Sequence, residues 1–395
     1  MARGPLRRVE AAAPVPLGAA CSKERRADSV GGDALLQARV LVPEQVAGGE
    51  VGHRHVTVEQ PVQHLRSGHD LIVAGRPGPC GGPRLEAVPE PTAARATPAP
   101  KRAPQPTRQA ARQAALVDQL AALVELPDVR ERADAAREAC TRLRFHEALR
   151  RRIPEASAES RVRGAQASAA LDGAEFPVDL VRELMSGARE WPEELDPGLR
   201  TLKGAVAATA ESERVVSLVR TAPLQALARL HVAAAAPFVQ GDALGRPRTG
   251  TEGCTELVDL GPAPEPTVVA ARLASLSDVV VAAAGTNRVP TSVVAALVHA
   301  EIVAVRPFVH GNGLVARAME RALVQALGLD PTGVAVPEAG HVAGGGPAYL
   351  GALTAYAEGG ARGVGLWLAQ AGEALVRGAA EGERISDAVR AGRLR

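Results

Sequence analysis

The stretch RPFVHGNG, residues 306–313, decides the fold of this chain. Apolar residues recur at three- and four-residue steps both before and after it, which is the spacing of a buried helix face. Pro307 ends the first helix, because the residue before a proline is disfavoured in helical conformation. The sequence therefore predicts two helices joined by a glycine-rich loop, with the second helix starting near Gly311.

The start of the second helix is suited to an anion. Unpaired backbone N–H groups point outward there, and the helix dipole favours negative charge. Two glycines, Gly311 and Gly313, allow a phosphate to approach the backbone around Asn312. Arg317 lies one turn into the helix, within reach of a terminal phosphate. An ordinary glycine-rich turn between two helices has the same local pattern, so these residues alone leave both interpretations open.

Four stretches together resemble Fic-domain proteins, whose fold is called Fido. The loop resembles the family motif H-x-F-x-D/E-G-N-G-R-x-x-R, and ALVHAEIVAVRPF resembles the helix that leads into it. GRPRTG, residues 245–250, resembles the start of the family's flap, and YLGALTAYAEGGARGVGLWLAQ resembles its closing helices. The resemblance covers residues 196–378. It implies an all-α core with a small β-hairpin flap, and the Gly, Pro and β-branched residues of 245–261 favour a hairpin or an extended flap.

The resemblance also implies an activity, which is transfer of AMP from ATP to a hydroxyl group of a target protein. On the matching positions, Phe308 packs the loop onto the core. Gly311, Asn312 and Gly313 form the phosphate site, and Arg317 holds the outer phosphate of the nucleotide. ATP is the implied ligand, and the implied partner is a target or regulatory protein.

Three positions depart from the motif. Arg306 stands where the family has its catalytic histidine, and an arginine remains protonated at any working pH, so it is unsuited to be a general base. His310 stands at the acidic Mg²⁺ position, and magnesium prefers oxygen ligands, which makes Mg²⁺ binding doubtful. Leu314 replaces a phosphate-binding arginine. His310 and His299 are the alternative bases, since histidine titrates in the required range; a solvated loop residue and a hydrogen-bonded helix residue are the competing interpretations.

A second motif, SAALDG at residues 168–173, resembles the inhibitory helix of the family, S/T-x-x-x-E-G. Ser168 and Asp172 are four residues apart and share a helix face. The resemblance implies that Asp172 pairs with Arg317, which blocks the seating of the outer phosphate. A helix that simply ends at Gly173 has the same pattern.

The chain divides into four predicted parts. Residues 1–107 contain no aromatic residue and are rich in Pro, Gly and Arg, which predicts a disordered tail. Residues 108–190 form a helical segment with the inhibitory motif, in which 129–153 is one helix ending before Pro154. Residues 196–378 form the Fic-like core and include a helix over 346–378. Residues 379–395 form a short C-terminal helix and tail.

The composition excludes several classes of protein. The formal net charge of +2 argues against nucleic-acid binding through overall charge. No apolar run approaches the roughly 20 residues that span a bilayer, so a cytoplasmic protein without membrane contact is expected. The four cysteines form no close pair, and no cysteine accompanies His53, His55, His64 and His69 at ligand spacing, so no metal site is predicted.

Three functions fit the sequence. The first is a Fic protein with a degenerate site, which binds phosphate or nucleotide or acts through protein contacts, with weak or no AMP transfer. The second is an active transferase of AMP or another phosphate-linked group, autoinhibited by the N-terminal helix, in which Arg306 holds a phosphate. The third is a non-enzymatic DNA-associated regulator, for which RFHEALRRRI, residues 144–153, is the candidate basic patch. The oligomeric state is not indicated.

Overall fold

Thirteen α-helices and three short 3₁₀ helices form the regular structure of residues 107–250 and 252–394, the part of the chain that the computed structural model describes. The α-helices are α1 (Arg108–Leu123), α2 (Val129–Arg144), α3 (Ile153–Leu171), α4 (Val178–Ser186), α5 (Pro197–Arg214), α6 (Val216–Val219), α7 (Pro223–Ala235), α8 (Pro266–Ala284), α9 (Thr291–Val305), α10 (Asn312–Ala326), α11 (Pro337–Gly344), α12 (Gly346–Glu358) and α13 (Gly360–Arg390). The 3₁₀ helices are Glu147–Arg150, Gly241–Ala243 and Val258–Leu260. The all-α prediction is therefore confirmed for this part of the chain, whereas the predicted tail lies outside it up to residue 106.

Helices α9 and α10 form the centre of the core. Every residue of α10 from Asn312 to Val324 is buried, as expected for a helix that is surrounded by protein. Helices α5 and α7 pack on α10, while α8 and α13 pack on α9. This arrangement holds the loop that joins α9 to α10 in a fixed position.

Helix α3 approaches α10 closely because one of its faces carries small residues. Arg321 of α10 donates to Ser160 Oγ at 3.0 Å, and Arg317 donates to Ser168 Oγ at 2.8 Å. Between them lies Gly164, where an added Cβ would stand 2.4 Å from an Arg321 nitrogen. The predicted N-terminal helical segment thus reaches the core through buried polar contacts to two arginines.

Helix boundaries differ from prediction at one glycine and one proline, and one helix was not predicted. The predicted helix 346–378 breaks at Gly359, which adopts a φ of 87°, and its second half continues to Arg390 as α13. Pro154 was expected to follow a helix, but it lies in the first turn of α3, where a missing N–H costs no helical hydrogen bond. Helix α11 was not predicted, because its sequence PEAGHVAG has no long apolar period.

The predicted β-hairpin at 245–261 is not seen: its described residues, 245–250 and 252–261, hold turns and a 3₁₀ helix. Its carbonyl groups are bound by arginine side chains instead of by a second strand. Arg248 donates to Glu252 O at 3.2 Å and to Pro264 O at 3.0 Å. Arg306 donates to Gly261 O at 2.8 Å. We keep the name flap for residues 245–264 without implying a hairpin.

Helix α8 contradicts the expectation that no apolar run is long enough to span a bilayer. It has 19 residues with a mean hydropathy of 1.6, which is long and apolar enough to cross a bilayer by length and composition. In this fold it packs against α9, with Val269, Leu273 and Val280 buried. Its Arg272 binds the Glu301 carboxylate of α9 at 2.6 Å. The helix is therefore part of the protein core, as far as the described residues show.

Candidate functional site

Asn312 fixes the shape of the loop between α9 and α10. Its side-chain oxygen accepts from Phe308 N at 2.9 Å, and its Nδ2 donates to Phe308 O at the same distance. The Phe308 ring is 1% exposed and stacks on His231 with 3.8 Å between ring centroids. Gly311 adopts a φ of 85°, a conformation that side chains other than glycine rarely adopt. The loop is therefore anchored from beneath, as predicted for Phe308.

His231 joins this loop to the flap, a role that no motif or spacing in the sequence indicates. Its Nδ1 accepts from Gly245 N at 2.8 Å, which leaves Nε2 to donate to His310 O at 3.1 Å. Burial lowers the pKa of His231 to about 4, so the ring is neutral at physiological pH. A neutral ring is what these two contacts require.

The predicted anion site is filled by a carboxylate of the chain itself. Gly311 N donates to Glu256 Oε1 at 2.7 Å, and Asn312 N donates to Glu256 Oε2 at 3.0 Å. The Asn312 Nδ2 adds a third contact at 2.8 Å, and His310 Nδ1 lies 2.9 Å from Oε1. The N-terminus of α10 thus binds an anion, but the anion comes from the flap.

The surroundings of Glu256 favour its charged form. Burial raises the pKa of this carboxyl, but the hydrogen bond and charge of His310 and the two backbone N–H groups outweigh it, and the pKa of Glu256 is lowered. The hydrogen bond to Glu256 in turn raises the pKa of His310 against the effect of burial, with Asp172 adding a favourable charge. The two side chains form an ion pair above the cradle formed by the N–H groups of Gly311 and Asn312.

Arg306, at the position of the family's base, anchors the flap. Its Nη1 donates to Glu256 O, Leu257 O and Gly261 O at 3.3, 3.2 and 2.8 Å, and its Nη2 donates to Pro262 O at 2.9 Å. Burial lowers the pKa of Arg306, yet the four carbonyl contacts require its protonated form. Its φ of 46° is rare for a residue with a side chain. This arginine is a structural clamp.

Arg317 makes the contact that the second motif predicts. Its Nη2 lies 2.8 Å from Asp172 Oδ2, and the same nitrogen donates to Ser168 O at 3.0 Å. Tyr349 OH accepts from Nη1 at 3.4 Å. Burial would lower the pKa of Arg317, but Asp172 and Tyr349 outweigh it and raise the pKa. The short side chain of Asp172 reaches Arg317 because α3 lies close to α10.

Leu314 and His299 are core residues. Leu314 is 2% exposed and lies against α5, with its Cδ1 3.0 Å from the place of a Cβ on Gly204. His299 is fully buried, with Nδ1 2.6 Å from Glu320 and Nε2 2.9 Å from Tyr349 OH. Both nitrogens of His299 are engaged, so it lacks the free nitrogen that a general base needs.

A cavity of about 580 Å³ opens above the cradle. Asp172, Glu256, His310 and Tyr349 line its polar side, and Phe238 contributes to its apolar side. A volume of several hundred Å³ is typical of small-molecule sites. The cavity therefore joins both predicted motifs in one place, and two carboxylates, Asp172 and Glu256, lie on the groups predicted to bind phosphate.

No protein-family model and no curated protein matches this chain. Among solved structures it is similar to a Fic family protein from Desulfovibrio desulfuricans G20, at 18% identity over 69% of this chain and 74% of that chain, with a TM-score of 0.44. It is also similar to a Fic domain containing signaling protein from Bacteroides thetaiotaomicron VPI-5482, at 13% identity over 65% and 98% of the two chains, with a TM-score of 0.47. Fic-1 from C. elegans is similar at 17% identity over 71% and 76%, with a TM-score of 0.49.

These three structures are Fic proteins by name. Their identities to this chain are low, and the likeness concerns the fold alone. The chemistry of the site is therefore inferred from the residues of this chain.

Proposed function

We propose that this chain is a Fic-family protein whose nucleotide site is closed by its own flap and which transfers little or no AMP. The observation that carries the proposal is the Glu256 carboxylate on the backbone N–H groups of Gly311 and Asn312. In the family motif these groups hold nucleotide phosphate. A phosphate must displace a carboxylate that is already held by charge-assisted hydrogen bonds.

The groups that the reaction needs are engaged elsewhere. A hydroxyl nucleophile requires a base with an accessible lone pair, and the Arg306 guanidinium is protonated and bound to flap carbonyls. His310, at the metal position, is committed to Glu256. Asp172, a further acid that lines the cavity, pairs with Arg317.

Two carboxylates together oppose a nucleotide. Glu256 competes for the cradle, and Asp172 competes for the guanidinium that would bind the outer phosphate. Each contact is charge-assisted, a class worth roughly 1.5–3 kcal/mol. We expect ATP to bind weakly, with protein contacts as the main function of the domain.

An active, gated transferase is the second candidate, because the cavity and the cradle are both intact beneath the flap. It would need a partner that withdraws Glu256. The form of this candidate in which Arg306 holds a phosphate is disfavoured, since that side chain binds four flap carbonyls. The DNA-associated candidate relies on the basic patch 144–153. Arg152 of this patch pairs with Glu155, so it is not free to bind phosphate.

Calorimetry with ATP tests the proposal on the full chain. We expect the wild type to bind ATP only at millimolar concentration, and Glu256→Ala to bind at least about tenfold more tightly, since each 1.4 kcal/mol is a factor of ten. Glu252→Ala is the matched control: it removes a carboxylate of the same flap that bonds Thr249 N and not the cradle. Micromolar ATP binding by the wild type, together with AMP transfer to a protein, would overturn the proposal.

A further inference from the structure

Helices α9, α10 and α11 bring His299, Glu320 and His341 together in the interior. All three side chains are at most 1% exposed, and their ligand atoms lie within 4.8 Å of one another. Glu320 Oε2 is 2.6 Å from His299 Nδ1 and 3.1 Å from His341 Nε2. The cluster lies beneath Arg317 and uses none of the residues of the phosphate cradle.

The charge of this cluster needs a partner. The neighbouring Arg317 is paired with Asp172. A buried carboxylate requires a compensating cation, because an isolated charge in the interior is very costly. That cation is either a proton held on one imidazole or a metal ion.

We propose that His299, Glu320 and His341 form a buried site for a divalent zinc-like ion. Two imidazole nitrogens and a carboxylate are a donor set that Zn²⁺ takes in proteins. Glu320 Oε1 is buried with no hydrogen-bond partner, which leaves a second oxygen available to the ion. The sequence predicts no metal site here, because His299, Glu320 and His341 are spread over 43 positions and match no short spacing motif.

The surroundings of the cluster fit a bound ion on the side of His299, whereas the outer nitrogen of His341, Nδ1, is buried without a hydrogen-bond partner among the described residues. A histidine that binds metal with one nitrogen usually donates from the other, and His299 Nε2 lies 2.9 Å from Tyr349 OH. Trp367 is fully buried and stacks on His341 with parallel rings 5.7 Å apart. These aromatic rings exclude water from the cluster. An ion here would cross-link three core helices and support Arg317 through Tyr349.

Metal content of the full chain tests the proposal. Protein stripped with dipicolinate, reloaded with Zn²⁺ and passed through a desalting column should retain about one zinc per chain, as a closed structural site does. Cobalt reloading should give visible d–d absorption of a site of low coordination number. His341→Gln and Glu320→Gln should lose both signals, and Tyr349→Phe should weaken zinc binding by about 10–100-fold.

A matched control removes the four histidines that lie within residues 1–107. A variant with alanine at His53, His55, His64 and His69 should keep both the zinc and the cobalt spectrum. The wild type alone can overturn the proposal: if it retains no zinc and Zn²⁺ leaves its Tm unchanged, the cluster holds a proton instead. Zinc that disappears in the four-alanine variant but stays in His341→Gln would overturn it equally.

Discussion

The His310 imidazole and the Glu256 carboxylate form an ion pair, with 2.9 Å between Nδ1 and Oε1, directly above the N-terminus of α10. A loop histidine and an acid from the flap thus neutralise each other at the backbone N–H groups of Gly311 and Asn312. This relationship makes the closed state of the site sensitive to pH.

The first prediction concerns that pH dependence. The pKa of folded His310 is raised, so the stability it contributes is fully present below its unfolded value and is lost as pH rises through the folded value. Glu256 has a lowered pKa, so its contribution is lost only in acid. The stability difference between wild type and His310→Gln should therefore shrink as pH rises from 6 to 9, and thermal unfolding across that range measures it. A difference that grows with pH would contradict the ion pair.

Asp172 and Glu256 should affect nucleotide binding in different ways. Asp172→Ala frees Arg317 to bind an outer phosphate, so affinity for ATP should rise several-fold while affinity for AMP, which has no outer phosphate, stays unchanged. Calorimetry with both nucleotides measures this. Asp179→Ala, which removes a carboxylate from the surface of α4, is the control. Equal gains for ATP and AMP would show that Asp172 acts by general charge and not through Arg317.

The side chain of Arg306 should hold the flap in place. Arg306→Ala removes four hydrogen bonds to flap carbonyls and should destabilise the fold by about 2 kcal/mol, since hydrogen bonds from charged groups contribute about 1.5–3 kcal/mol. Limited proteolysis within 245–264 should become faster. Arg246→Ala is the control, because Arg246 lies on the same segment and pairs only with exposed or half-exposed acids. An unchanged cleavage pattern would rule out the clamp.

The fourth prediction concerns the α3–α10 contact. Gly164→Ala places a Cβ 2.4 Å from an Arg321 nitrogen that is bound to Glu338, and we expect a loss of about 1–3 kcal/mol, as for overpacked cores. Gly351→Ala, within α12 and with open space around it, should be neutral or gain about 0.5–1 kcal/mol. Denaturant unfolding of both variants checks the opposite signs. If both substitutions changed the free energy of unfolding equally, α3 would not be packed tightly against α10.

Local signals predicted most of the helices and the loop. The run from Val294 to Val305, Pro307 and the two glycines act within a few residues, and the structure places α9, the turn and α10 where those signals indicate. The Asp172–Arg317 contact was also predicted, but from the resemblance of two motifs and not from spacing, since 145 positions separate them.

The other long-range side-chain contacts of the site could not be predicted from the sequence. Glu256 lies 55 positions before Gly311, and nothing in the flap marks it as the occupant of the cradle. The hairpin prediction was wrong because Arg248 and Arg306 satisfy carbonyl groups that strands would have paired. His299, Glu320 and His341 meet only after three helices pack. In each case the deciding partner comes from a distant element.

Arg306 directly follows α9 and binds four carbonyl groups of the flap. A histidine substituted at this position would add a proton acceptor and release all four carbonyl groups in the same step. A second substitution that refastens residues 256–262 would therefore have to accompany it for the flap to stay ordered.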